Sequence, residues 1–273
     1  AAEKVRSGVT ALVLSDRGVS SDLAPIPSLL GLAAVHHHLI REGLRSRVGL
    51  VVETGEAREV MHFALLIGYG ASAIHPYLAI DTLCELQDEG LVDAPSHEQA
   101  VSRYVKGVKK GLLKVFSKMG ISTAQSYQGA QIFEAIGLNR SVVERYFTGT
   151  PSRIEGVGLD AIAEEARLRH AHAWPRIQVG EPELDPGGQY QWRARGEHHM
   201  WNPDSISKLQ HAVRQESYAT FKDFSRVCND QSRRLSTIRG LLQFKPGTPI
   251  PIEEVEPAKA IVTRFCTGAM SFG

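Results

Sequence analysis

The sequence predicts an α/β fold of parallel strands joined by crossover helices, either an open doubly wound sheet or a (β/α) barrel. Three observations lead there. Short, nearly continuous apolar runs rich in β-formers recur at 10–16, 48–54 and 71–75, as strands buried on both faces require. Helical patterns with one apolar face separate them. With 273 residues, 42% of them hydrophobic and 22% charged, the chain can bury an ordinary core, which excludes global disorder.

Taken in order, the first strand (10–16) ends in the turn Asp16-Arg17-Gly18. After the loop marked by Pro25 and Pro27, Ser28 is placed to cap a helix running to about Leu44, with Leu29, Leu32, Val35, Leu39 and Ile40 at helical spacing. The strand at 48–54 closes at Thr54-Gly55. A helix follows over 56–67, where Val60, Phe63, Ala64 and Ile67 share a face. Gly68 and Gly70 stop it before the third strand. Helices are predicted over 78–86 and 97–119, and Gly120 ends the second. A fourth strand over 121–127 is expected beside the other three, with all four parallel. Shorter helices at 129–136 and 141–147 and a long one at 159–173 complete this part, 1–174.

Near Pro175 the character changes. Residues 175–203 mix Pro, Gly, Trp and charge without a sustained period, and a helical pattern returns over 205–227. Closely spaced prolines make 245–251 a stiff, extended linker. The boundaries are therefore set at 175–248 for the connecting region and 249–273 for the start of a further domain. That last part has an acidic helix near 254–265 and then a strand-like Gly268-Ala269-Met270-Ser271-Phe272-Gly273. The start at Ala1 and the apolar end lead us to expect a piece of a longer polypeptide.

Composition narrows the function classes. Lys and Arg total 31 against 30 Asp and Glu, so the net charge of +1 gives no general field for nucleic acid or an acidic membrane surface. No apolar run approaches the ~18 residues of a membrane span. Cys84, Cys228 and Cys266 are far apart and form no C-x-x-C pair, so neither a disulfide framework nor a zinc site is indicated. A reduced, cytoplasmic setting is expected.

Several residues invite chemistry. His36-His37-His38 and His198-His199 read as metal ligands at first sight. Adjacent helical side chains diverge by about 100°, however, so the triplet cannot converge on one ion. His75, Asp16-Arg17 and Glu53-Thr54 fall at strand C-termini, the ligand side of parallel α/β folds. The same residue types also cap or pack beneath loops there, and that plainer role is the one favoured. Gly156-Val157-Gly158 and Gly68-Tyr69-Gly70 match no dinucleotide or phosphate loop, and no G-x-S-x-G elbow occurs. The lysines at 106, 109, 110, 114 and 118 read as a solvated helix face.

Longer strings are more specific. Leu14-Ser15-Asp16-Arg17-Gly18, Glu53-Thr54-Gly55-Glu56-Ala57-Arg58-Glu59, Gly68-Tyr69-Gly70-Ala71 running on through His75-Pro76-Tyr77, and Met119-Gly120-Ile121-Ser122-Thr123 resemble the central region of glutamate synthase large subunits. So do Ser126-Tyr127-Gln128-Gly129-Ala130-Gln131, Tyr146-Phe147-Thr148-Gly149-Thr150-Pro151-Ser152, and the stretch 249–257 with the terminal 268–273. The likeness covers nearly the whole chain in order.

The resemblance implies a parent enzyme that makes L-glutamate from glutamine-derived ammonia and 2-oxoglutarate by reduction on FMN. Such a parent carries a cysteine-nucleophile glutaminase domain, a central domain, and an FMN-binding (β/α)8 barrel with a 3Fe-4S cluster. Electrons come from a small NAD(P)H-oxidising subunit or from ferredoxin. In this family the central domain resembles an incomplete or degraded (β/α) barrel of the FMN-linked oxidoreductase type. The implied partners are the glutaminase and FMN-binding domains of the same chain, with no nucleic acid and no membrane. A plant source would place it in the plastid stroma. Residues Gly268, Ala269, Met270 and Ser271 are the implied FMN contacts, since a small-residue strand end lets backbone donors approach a flat cofactor; core packing is the other role open to Met270. No catalytic residue and no metal ligand is assigned, and the segment alone is expected to bind no cofactor and to be inactive. The alternative is a non-catalytic α/β structural or interaction module.

Overall fold

A computed structural model describes residues 1–175, 186–233 and 236–264. The chain divides near residue 178 into two compact units. The first opens with a short helix α1 (Ala2–Arg6), then β1 (Ala11–Ser15), α2 (Ser28–Arg41), a 3-10 turn (Arg45–Arg47), β2 (Gly49–Glu53), α3 (Val60–Gly68) and β3 (Ala73–His75). The three strands pair in the order β1-β2-β3, parallel throughout, with Val13 opposite Val51 and Ser15 opposite Glu53, and Ala73 and His75 continuing those two rows. This agrees with the parallel arrangement expected for the first three strands.

One side of this sheet is dry. Leu50 and Val52 pack under Leu32 and Leu39 of α2 and Phe63 and Leu66 of α3, with Leu12, Leu14 and Ile74 against the same cluster. The alternation of strand side chains then puts Ala11, Val13, Ser15, Val51, Glu53, Ala73 and His75 on the other side, where Val13 is 62% exposed. Helix α2 is held at its start by a neighbouring element rather than by its own serine. The Glu56 carboxylate accepts both the Ser28 N–H (2.7 Å) and the Ser28 hydroxyl (2.6 Å), and no residue at the helix start supplies a side-chain cap.

Helices α4 (Tyr77–Asp88) and α5 (His97–Lys118) form a packed hairpin, with Ser96 capping α5 through the Gln99 N–H. The chain beyond corrects two expectations. Residues 121–127 are not a strand: the Thr123 hydroxyl accepts the Ser126 N–H and starts a single helical turn, α6 (Ala124–Tyr127), whose Tyr127 ring is buried against Phe116 and Phe133. A local side-chain cap and an aromatic anchor outweigh the β-branched residues at 121 and 123. Nor is 129–136 a helix. Gly129 and Gln131 take φ of 72° and 54°, which breaks any helix, and the chain then extends into β4 (Ala135–Leu138).

After α7 (Arg140–Tyr146), β5 (Ser152–Val157) pairs parallel with β4, and α8 (Leu159–Ala173) follows. Gly156 passes so close to the Gly137 backbone that no Cβ would fit between them. These two strands form a sheet separate from β1-β2-β3, so the described residues hold two parallel sheets and no closed barrel. Helix α2 spans both, since its Ala33 packs with Val142, Val143 and Phe147 in a second apolar cluster.

The second unit is mainly helical. The helical pattern expected over 205–227 is two helices, α9 (Pro203–Arg214) and α10 (Tyr218–Arg233), packed together across a turn in which Glu216 has φ 51°. Asn202 and Ser205 cap α9 reciprocally. The proline-rich stretch carries no regular element up to a 3-10 turn at Ile252–Glu254, and the acidic helix is shorter than expected, α11 (Ala258–Val262). The expected terminal strand lies outside the described residues. Among the described residues no helix is long and apolar enough to cross a membrane.

Candidate functional site

The C-terminal edge of β1-β2-β3 gathers the polar residues that the sequence placed at strand ends. Because Ser15, Glu53 and His75 share one row of the register, their side chains rise on the same side of the sheet. Glu53 is the hub. It accepts the Ser15 hydroxyl at 2.6 Å and the Arg17 Nε at 2.9 Å, and its Oε1 lies 3.3 Å from His75 Nδ1. The Ser15 bond foremost, with Arg17 and His75 behind it, holds Glu53 below the usual carboxylate range. The Arg17 guanidinium also lies over the Tyr77 ring, 4.3 Å from its centroid.

Asp16 ties two loops together. It accepts the buried Thr54 hydroxyl at 2.5 Å and the Gly55 N–H at 3.1 Å, while Thr54 accepts the Glu56 N–H at 3.1 Å. Burial, together with a bond to the Asp16 carboxylate, pushes Tyr77 up to about 12. The capping role expected of Asp16 and Thr54 is thus realised, though the cap crosses between loops instead of staying within one.

This constellation contains a serine, a histidine and a carboxylate, yet in the wrong order for nucleophilic catalysis. A serine nucleophile needs the imidazole between it and the acid. Here the carboxylate sits between the other two, and it is too weak a base to deprotonate a hydroxyl. The cluster orients backbone and side chains; it does not activate a nucleophile.

The other candidates are structural. His36 is buried on α2 and accepts the Arg45 Nε at 2.9 Å, while the same guanidinium donates to the carbonyls of Val48 and Gly70, both at 2.7 Å. Burial first, then the Arg45 charge and His37, lower His36 to about 4, so it stays neutral. Burial and Arg41 lower His37 as well. His199 bonds the Gly188 carbonyl. Among the described residues no group of three or more His, Cys, Asp or Glu side chains could hold a metal ion. The five lysines of α5 are exposed. Gly68 is pressed against the Phe133 ring, and Gly70 has φ 106° with no room for a Cβ beside His36, so these glycines serve packing. Arg45 and Tyr77 were missed in the sequence, and Arg17 was legible only as a strand-end residue, because only the register and the returning loops bring the three to their partners.

Beside the cluster, a pocket of about 850 Å³ runs along the free edge of β1 between α2 and the 18–26 loop. Its walls are mostly apolar, and among the described residues Asp16 and Glu53 are the only charged ones that line it. A flavin phosphate would meet negative charge there, and the nearby start of α2 is already occupied by Glu56. The pocket does not fit FMN. The residues expected to touch FMN, Gly268, Ala269, Met270 and Ser271, lie outside the described residues.

Comparison with known proteins gives the family. A model of the glutamate synthase central domain matches residues 1–139, and one of a conserved region in glutamate synthase matches 199–273. The chain is 51% identical, along its whole length, to the glutamate synthase [NADPH] large chain of Bacillus subtilis (strain 168), of which it covers 18%. It is 45% identical over 98% of its length to glutamate synthase [NADH] of Schizosaccharomyces pombe, covering 13% of that protein. Against the ferredoxin-dependent glutamate synthase 1, chloroplastic/mitochondrial, of Arabidopsis thaliana the identity is 42% over 99% of the chain and 17% of the relative. The chain thus spans less than a fifth of the length of these relatives. With its first 139 residues matched by the central-domain model, the chain belongs to the glutamate synthase family.

Proposed function

We propose that this chain is a segment of a glutamate synthase large subunit, and that it acts as the scaffold between a glutaminase domain and an FMN-binding barrel and as part of the wall along which ammonia passes. The parent would make L-glutamate from glutamine-derived ammonia and 2-oxoglutarate by reduction on FMN, in the cytoplasm or, in a plant, the plastid stroma. The observation that carries this reading is the order of the two family matches along one chain, central domain first. The strand-end cluster supports a scaffold role, because its hydrogen bonds are spent on one another and on loop backbone.

In this reading residues 1–174 are central-domain βα units, 175–248 connect, and 249–273 enter the barrel, with the backbone of Gly268, Ala269, Met270 and Ser271 against the flavin. FMN would supply the hydride for reduction, and a 3Fe-4S cluster would relay electrons to it. The described residues offer no ligand set for such a cluster, so its ligands would come from the rest of the polypeptide. The electron source would be a small NAD(P)H-oxidising subunit or ferredoxin.

The test uses the chain and its full-length parent. Supplied with glutamine, 2-oxoglutarate and a reductant, the parent should form glutamate with little free ammonia, and this chain alone should form none. In the parent, substitutions at Asp16 and Glu53 should raise the ammonia released per glutamate formed. Glutamate formation by the isolated chain, or its absence in the parent, would overturn the reading.

A further inference from the structure

The α4–α5 hairpin separates charge in a way that the chain's balance of +1 conceals. On α4, Asp81 and Glu85, with Glu89 just past its C-terminus, recur every four residues, and all three are exposed. On α5, Lys106, Lys110 and Lys114 repeat the same spacing, also exposed, in a helix whose only carboxylate is Glu98. The two helices pack against each other, yet none of these six side chains has an ion-pair partner among the described residues.

Apolar surface accompanies the charge. Leu113, between Lys110 and Lys114 in sequence, is 67% exposed, and Leu91, just after Glu89, is 70% exposed. Single exposed leucines are ordinary on protein surfaces. Set beside rows of charge, these two have the composition of an interface, apolar at the centre and polar at the rim. A surface with both signs on neighbouring helices is complementary to itself: a two-fold axis brings the acidic row of one copy to the basic row of another, twice.

We infer that the α4–α5 hairpin is a self-association surface whose partner is a second copy of this chain, paired isologously with α4 against α5. Exposed ion pairs contribute little singly, so the association depends on the rows acting together around the two leucines. It also depends on salt, since the screening length is ~10 Å at 0.1 M and shorter above that.

Sedimentation velocity on the purified chain tests this. At about 0.02 M salt the chain should be dimeric in the micromolar range, and at about 0.5 M its dimer Kd should rise at least tenfold. The triple variant K106E/K110E/K114E, which makes both rows acidic, should be monomeric, as should D81K/E85K/E89K, which makes both basic. Mixed in equal amounts, the two should form a one-to-one heterodimer. Leu113→Ser should weaken the dimer of the otherwise unchanged chain about tenfold, a readout that survives if a triple variant misfolds by circular dichroism. A chain that stays monomeric at low salt overturns the inference. So does a dimer indifferent to salt and to both reversals, or a mixture of well-folded triple variants that fails to associate.

Discussion

The two sides of the β1-β2-β3 sheet are made from alternate residues of the same strands, and they do different things. Against α2 and α3, Leu50, Val52, Leu32 and Leu39 are almost wholly buried, and the Arg45–His36–Gly70 linkage sews α2 to the loop before β3. On the other side Val13 is open and the polar row Ser15, Glu53 and His75 crowns the strand ends. The lesson is that histidine and carboxylate carry no fixed meaning in this chain. His36 is neutral and structural because it is buried beside a guanidinium, whereas His75 and Glu53 are half-open and lie among hydrogen-bonding neighbours.

Changes on the packed side should therefore cost far more than changes on the open side. The largest effect is expected at Gly70, whose φ of 106° and contact with His36 leave no room for a methyl group. Gly70→Ala should destabilise the chain by on the order of 3 kcal/mol or more, read from the urea midpoint. A loss under ~0.5 kcal/mol would mean that the His36 side of the sheet is not tightly packed.

Acid should find the same side. The folded value of His36 lies below its unfolded 6.5, so the unfolded chain binds the extra proton between pH 6.5 and about 4. Stability should then fall as pH drops through that window, by roughly 2–3 kcal/mol from this group, and level off below it. Unfolding followed against pH should show the slope reduced in His36→Gln, which keeps an acceptor for Arg45 but cannot take up the proton.

At the strand ends the effect should be smaller. Asp16→Ala leaves the buried Thr54 hydroxyl and the Gly55 N–H without their acceptor and should cost ~1–2 kcal/mol by thermal or urea unfolding. Smallest of all, Val13→Thr on the open side should change stability by no more than ~0.5 kcal/mol. A larger loss there would show that something covers this side in solution and would erase the contrast between the two sides.

The sequence by itself determined what is local or periodic. Apolar runs placed β1, β2 and β3, although only one face of each strand is buried where burial on both was expected. Helical spacing placed α2, α3, α5 and α8, and the long strings carried the family. The presence of Asp16, Glu53 and His75 at strand ends was legible for the same reason. Tertiary structure decided whatever depends on a partner distant along the chain. Residues 121–127 have the composition of a strand, but the Thr123 cap and the Tyr127 packing site make them a turn of helix. At 129–136 two left-handed residues lead into β4, whose partner β5 lies some fifteen residues further on. The cap of α2 comes from Glu56, and the acceptor for Arg45 comes from the helix before it. Periodicity reports which face a residue belongs to. Only the folded chain says what stands opposite, because hydrogen-bond partners and desolvation are properties of the assembled pair and not of either residue.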